Sequence, residues 1–289
     1  VDPIYRGMDR RTLDLEYSPS ANLVGGITPY LDDYARLSAL ALAEPGVQPA
    51  LRYGNRPDEV LDLFLPAGPG PWPLHIFIHG GFWQELSQRE FAFHGSAFRK
   101  AGVAYATINH MLAPAASIGD MIDQCRRALA WLFGQADTLG IDRDRIAISG
   151  HSAGAHLCAM LLATDWPQLS VPADAIKGAL LISGVYDLEP IRLSYVDKPL
   201  GLSREDVAAW SPQLLDLKAA CPTAIVWGEH DTAEFKRQSA EFAGKLEQAG
   251  TPVEHREFPA LNHFDILFEF LNDGSPLMAL ALNPLRRTP

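Results

Sequence analysis

The stretch RIAISGHSAGAHLCAMLLA, Arg145 to Ala163, decides how this chain is read. Ile146, Ala147 and Ile148 form a short apolar run, the pattern of a strand covered on both faces. The run ends in Gly150-His151-Ser152-Ala153-Gly154, and an apolar helical segment from Ala155 to Ala163 follows at once. A strand that turns into a helix within a few residues, with small residues around one serine, lifts that hydroxyl above the sheet. The start of the helix favours negative charge developing beside it. The bare G-x-S-x-G spacing also occurs in ordinary strand–helix turns. The strand before it and the helix after it make Ser152 the expected nucleophile.

Outward from this stretch the chain alternates. Upstream, VLDLFLP (60–66) and LHIFIHG (74–80) read as strands joined by the Pro/Gly-rich loop PAGPGPWP, and GVAYATINHML (102–112) reads as another. From Ser117 to Gly140 the apolar residues Ile118, Met121, Ile122, Cys125, Leu129 and Leu132 recur at helical spacing, with Ser117 and Asp120 placed as a capping box. Downstream, IKGALLISGVYD, PTAIVWGEHD and VEHREFP read as strands. The helix after PTAIVWGEHD carries Phe235, Phe242 and Leu246 on one face, and FDILFEFLN is expected to begin a closing helix. The middle strands are continuous apolar runs, which predicts a mostly parallel central sheet with helices on both faces. Residues 1–289 are expected to form a single α/β domain. The segment 188–220 breaks the rhythm and reads as a lid-like insertion or pocket wall within it.

Composition removes several functions. Hydrophobic residues make up 47% of the 289, enough for a large core. The net charge of −11 argues against a nucleic-acid groove and against an anionic membrane surface. No apolar run has the length of a membrane span, and the first residues lack an apolar signal core. Three cysteines, Cys125, Cys158 and Cys221, form no disulfide framework, and neither Cys-x-x-Cys nor His-Glu-x-x-His spacing suggests a metal. The expectation is a cytoplasmic protein without metal or cofactor. It acts on a small molecule, alone or as a homodimer, with no nucleic-acid or membrane partner.

A nucleophilic serine needs a base, and the base needs an orienting acid. Asp231 ends the strand in WGEHD and His263 follows the last strand in PALNHFD. Both stand at carboxyl ends of strands, where open α/β sheets place their sites. Asp187, in SGVYDLEP, is the rival acid. Glu229 and His230 would project differently from Asp231. His255 lies within a strand, and His156 on the helix after the serine is expected to be a hydrogen-bonded core residue. His151, like His156, flanks the serine, and His75, His94 and His110 show no partner pattern. An acyl-transfer oxyanion needs backbone N–H donors. Ala153 would give one, and Gly80, Gly81 and Phe82, in the loop after LHIFIH, would give the others. The alternative for these glycines is a plain tight turn. Phe82, Trp83 and Tyr186 are the expected substrate-side residues, and core packing serves equally well for Trp83.

The segments HGGFWQ, SGHSAGAHLCAML, ISGVYDLEPI, GEHDTAEFKRQS and NHFDI together resemble the kynurenine formamidase (arylformamidase) family of α/β-hydrolases, from about Leu61 to Phe270. The resemblance implies an α/β-hydrolase fold and removal of the formyl group from N-formyl-L-kynurenine. It implies that nucleophile, acid and base fall on Ser152, Asp231 and His263, with the oxyanion motif on His79 to Trp83. Phe82 stands where the animal enzymes carry tyrosine. A carboxylesterase or aryl-amidase acting on other small substrates shares the scaffold, as would an inactive small-molecule binder, although such binders usually lose a triad residue. The first sixty residues carry no matching motif.

Overall fold

The computed structural model describes residues 2–21, 23–217 and 221–286. Among these, one sheet organises the chain through β1 (Val47–Arg52), β2 (Val60–Phe64), β3 (Trp72–Ile78), β4 (Ala104–Ile108), β5 (Ile141–His151), β6 (Ile176–Ile182), β7 (Thr223–Gly228) and β8 (Val253–Phe258). The spatial order is β1-β2-β4-β3-β5-β6-β7-β8. β1 and β2 pair antiparallel, β2 joins β4 antiparallel, and every pairing from β4 onward is parallel. This is the expected α/β-hydrolase architecture. The strand β1 and the helices Arg10–Glu16 and Thr28–Leu42 carry no expectation from the sequence. The expected closing helix is a 3-10 turn, Asp265–Leu271, followed by the helix Pro276–Leu282.

The apolar runs are buried on both faces for the reason the sequence suggests. Alternate residues of a strand point to opposite sides. Leu74, Ile76 and Ile78 enter one core with Ala104, Ala106 and Ile108, covered by the helix Ile118–Gly134. Phe77 enters the other core with Tyr105, Ala147, Leu180, Ile182 and Val226. The helix Thr28–Leu42 covers this second side, burying Tyr34, Ser38 and Ala41 at successive turns. The outer strand β8 is mostly exposed, and His255 lies there.

The register decides where function can sit. Ile78 lies opposite Gly150, His151 opposite Ile182, Ile182 opposite Val226, and Gly228 opposite Phe258. The carboxyl ends of five parallel strands therefore share one edge. The loops carrying His79–Trp83, Ser152, Ser183, Asp231 and His263 all leave from it.

Leu180→Ala on β6 is expected to lower stability by about 2–5 kcal/mol, because a fully enclosed side chain leaves a cavity. His255→Ala on the exposed β8 should stay within about 0.5 kcal/mol of wild type. Urea unfolding of both variants checks the contrast, and similar losses would contradict this account of the two strands.

Candidate active site

The elbow after β5 is strained. Ser152 holds φ 55° and ψ −121°, a region that non-glycine residues rarely occupy. Its N–H donates to the Ile182 carbonyl at 2.9 Å, which ties the turn to the neighbouring strand. Gly150 and Gly154 leave room for it: a Cβ at Gly150 would meet the Gly154 carbonyl, and one at Gly154 would meet the Ile78 carbonyl. The serine side chain faces a cavity of about 250 Å³ that His263 also lines.

His263 Nδ1 donates to Asp231 Oδ1 at 2.6 Å, with both side chains enclosed. Asp231 Oδ2 accepts from the Ser183 hydroxyl at 2.6 Å and the Gly228 amide at 2.9 Å. Burial pushes this carboxyl upward, but His263 and the two donors outweigh it and hold Asp231 below the ordinary carboxylate range. His151 donates Nε2–H to the His263 carbonyl at 2.7 Å, and the Phe235 ring lies 4.6 Å from the His263 ring. The structure thus brings Ser152, His263 and Asp231 to one place. Asp187 lies elsewhere: its carboxylate accepts from Tyr5 Oη at 2.9 Å and from the Glu189 amide at 2.9 Å. Glu229 accepts from the Ala260 amide at 2.7 Å, and His230 is exposed.

The glycine pair has two separate reasons. A Cβ on Gly80 would stand 2.8 Å from the His151 carbonyl and 3.1 Å from Ser152 Cβ, so Gly80 lets this loop approach the serine. Gly81 takes φ +112°, and a Cβ there would meet the Glu85 carbonyl, so Gly81 makes the turn itself. Its carbonyl accepts from the Gln84 and Glu85 amides. The Gly81 and Phe82 amides have no acceptor among the described residues. Ala153 opens the helix Ala153–Leu162, so its N–H has no intrahelical acceptor.

Two of the expected substrate-side residues are elsewhere. Phe82 lines the cavity, but Trp83 does not: it is 1% exposed and donates Nε1–H to His156 Nδ1 at 3.3 Å. His156 in turn donates to the Trp210 carbonyl at 2.7 Å, so it is the hydrogen-bonded core residue expected. Burial lowers its pKa to about 4, which keeps it neutral. Tyr186 is wholly enclosed, stacked on Phe242 at 4.2 Å behind the site. The strand ends at Ile182, and the turn after it points the tyrosine inward. His75, His79 and His110 are likewise buried, and desolvation holds their pKa values at about 3, 4 and 3. Buried His94 is lowered as well.

The cavity's roof comes from the segment without motifs. Pro19, Ser20, Ile27, Leu31 and Tyr34 line it. Of the 188–220 insertion, whose last three residues fall outside the described ones, only Tyr195 does. The motif EF-x-RQ, 234–238, explains how the N-terminal segment docks. Glu234 accepts from Tyr17 Oη at 3.1 Å, and Gln238 donates to the same oxygen at 2.6 Å. Arg237 reaches Tyr5 Oη at 3.3 Å, and the Phe235 ring lies 5.7 Å from that of Tyr17. A signal was present: a run of specific polar residues on a helix face needs partners, and Tyr5 and Tyr17 were available. Among the described residues no cluster of His, Cys, Asp or Glu could hold a metal ion.

Comparison with known proteins places the chain among hydrolases. A kynurenine formamidase of Danio rerio is 33% identical over 98% of this chain and 99% of its own length, and one of Salmo salar is 32% identical over 98% and 99%. The prolyl oligopeptidase family model matches residues 120–269, and a model described as BD-FAE matches 61–171. The crystal structure of the carboxylesterase EstE1, cloned from a metagenomic library, superposes with a TM-score of 0.72 at 21% identity, over 90% of this chain and 96% of that one, and so shares the fold. With near-full-length relatives above 30% identity, and with its second half inside the broader prolyl oligopeptidase grouping, the chain belongs to the kynurenine formamidase family of α/β-hydrolases.

Proposed function

We propose that this protein is a serine hydrolase that removes the formyl group from N-formyl-L-kynurenine, giving kynurenine and formate. The observation that carries the reading is the enclosed His263–Asp231 contact on the cavity that Ser152 faces, in a chain whose near-full-length relatives are kynurenine formamidases. Ser152 attacks the formyl carbon as His263 takes its proton. The oxyanion is received by the Gly81, Phe82 and Ala153 amides, which need no reorganisation to do so. His263 then protonates the departing aryl amine, and water, activated by the same imidazole, frees formate from the acyl-serine. Asp231, ionised and doubly bonded by Ser183 and Gly228, stabilises the imidazolium and fixes its tautomer. The aromatic portion of the substrate is assigned to the side walled by Phe82, Phe91 and Phe264.

One further feature supports a cytoplasmic small-molecule enzyme. All three cysteines are free and buried. Among the described residues no helix is long and apolar enough to cross a membrane.

Three experiments test the reading. Ser152→Ala should abolish hydrolysis of N-formyl-L-kynurenine while circular dichroism stays native, since losing an activated nucleophile costs several orders of magnitude. Turnover within about tenfold of wild type would sink the assignment, and a panel of short-chain aryl esters assayed beside the formamide tells a formamidase from a general esterase. Asp231→Asn should reduce kcat by about ten-thousandfold, whereas Asp187→Asn, which disturbs only the contact with Tyr5 and the turn at Glu189, should stay within about tenfold. The reverse ranking would move the acid. Phe82→Tyr should leave kcat within about tenfold, because the backbone donors remain. Gly81→Val should cost about a hundred- to a thousandfold in kcat, because the positive φ and the Glu85 carbonyl exclude a branched side chain. A folded Gly81→Val enzyme with near-normal kcat would reduce the glycine to an ordinary turn.

A further inference from the structure

The helix Thr28–Leu42 touches the neighbours of His263 on both sides. Asn262 donates from Nδ2 to Tyr30 Oη at 2.9 Å, and Tyr34 Oη donates to the Phe264 carbonyl at 2.5 Å. The two tyrosines stand four residues apart, so they share one helix face and project one turn from each other. Neither is held loosely. The Tyr34 ring, 1% exposed, lies 5.6, 5.1 and 5.3 Å from Phe91, Phe93 and Phe268. The Tyr30 ring lies 5.7 Å from Phe264. One turn further on, Ser38 Oγ accepts from the Phe93 amide at 3.0 Å and fixes the helix along its axis.

The loop they hold needs outside support. His263 follows β8, the mostly exposed outer strand, and reaches back toward a serine three strands away. Locally, Asn262 and Asp265 close a tight turn around it. The Asn262 amide donates to Asp265 Oδ1 at 2.6 Å, its Nδ2 donates to Asp265 Oδ2 at 2.6 Å, and its Oδ1 accepts from the Phe264 and Asp265 amides. Such a turn holds its own shape, and its place in the fold is set by contacts from other elements: the His230 amide to the Leu261 carbonyl, His151 Nε2–H to the His263 carbonyl, and the two tyrosines on either side of His263. Asp231 fixes the imidazole at one nitrogen only.

We propose that Tyr30 and Tyr34 are positioning residues that aim His263 at Ser152, and that the helix Thr28–Leu42 is through them a working part of the active site. This rests on the reading of His263 as the base. The need is chemical: proton transfer requires donor and acceptor within hydrogen-bond reach, and a misplacement of about 1 Å can cost about a hundredfold in rate.

The test uses Tyr30→Phe, Tyr34→Phe and the double variant, which keep the rings and remove only the hydroxyls. Steady-state kinetics with N-formyl-L-kynurenine are measured alongside the rate at which a small organophosphate inactivates Ser152. That second rate reads activation of the serine and does not depend on the natural substrate. Tyr34→Phe should lower kcat about tenfold and the double variant about a hundredfold, with KM within about threefold and the inactivation rate falling in parallel. The deshielded proton resonance of the His263–Asp231 contact should broaden in the same order. A folded double variant with kcat and inactivation rate within twofold of wild type would overturn the inference. A loss confined to KM would overturn it too, since Tyr34 would then be only a wall of the cavity. Should the double variant fail to fold, Tyr30→Phe decides alone, because Tyr30 does not line the cavity: about a threefold fall in both rates supports the inference and no change refutes it. Activity persisting in Ser152→Ala would instead bring down the reading of the site itself.

Discussion

The structure depends on one strained residue. Ser152 occupies backbone space that costs a non-glycine residue about 1–3 kcal/mol, and the fold must hold it there. It does so with the hydrogen bond to Ile182 and with close packing of Gly150 and Gly154 against backbone carbonyls. These contacts require β3, β5 and β6 to lie side by side in parallel and in the observed register. The buried apolar runs and the helices on both faces supply that register. The strain follows from placing a hydroxyl above a sheet edge at the first turn of a helix.

Around this point the electrostatics are arranged by burial. A carboxylate enclosed in protein is costly unless bonded, and Asp231 is bonded by an imidazole, a hydroxyl and an amide. The buried histidines go the other way, with desolvation making the imidazoles of His79, His110, His151 and His156 harder to protonate. His263 therefore sits against an ionised carboxylate, among neighbouring imidazoles that burial keeps neutral at neutral pH. That contrast suits His263 to the proton transfer proposed for it, with no second imidazolium beside it.

The first forty residues complete the site. They roof the cavity with Ile27, Leu31 and Tyr34, and through Tyr5 and Tyr17 they dock on the face of the helix Ala233–Gln248. The same helix presents Phe235 to the His263 ring. Substrate selection and aim of the base are thus assigned to a segment that contains no catalytic motif. Of the segment 188–217, Tyr195 lines the cavity and the Trp210 carbonyl accepts from His156.

Features that local chemistry dictates can be read along the chain. Continuous apolar runs marked β3 to β7 as central strands, and the small residues around Ser152 required a sharp turn. The order of Ser152, Asp231 and His263 at strand ends placed them on one edge. Local patterns could not say what lay across the fold. Trp83 and Tyr186 are large aromatics beside active loops, and only packing turned them toward His156 and Phe242 and away from the cavity. Asp187 and Asp231 both follow strands, and packing separates them, bringing His263 to Asp231 and Tyr5 to Asp187. The helix Thr28–Leu42 matters because of what it meets, since Tyr30 and Tyr34 are unremarkable until they lie beside Asn262 and Phe264. A hydrogen bond between residues more than two hundred positions apart leaves no trace in either neighbourhood, so the tertiary structure alone decided it.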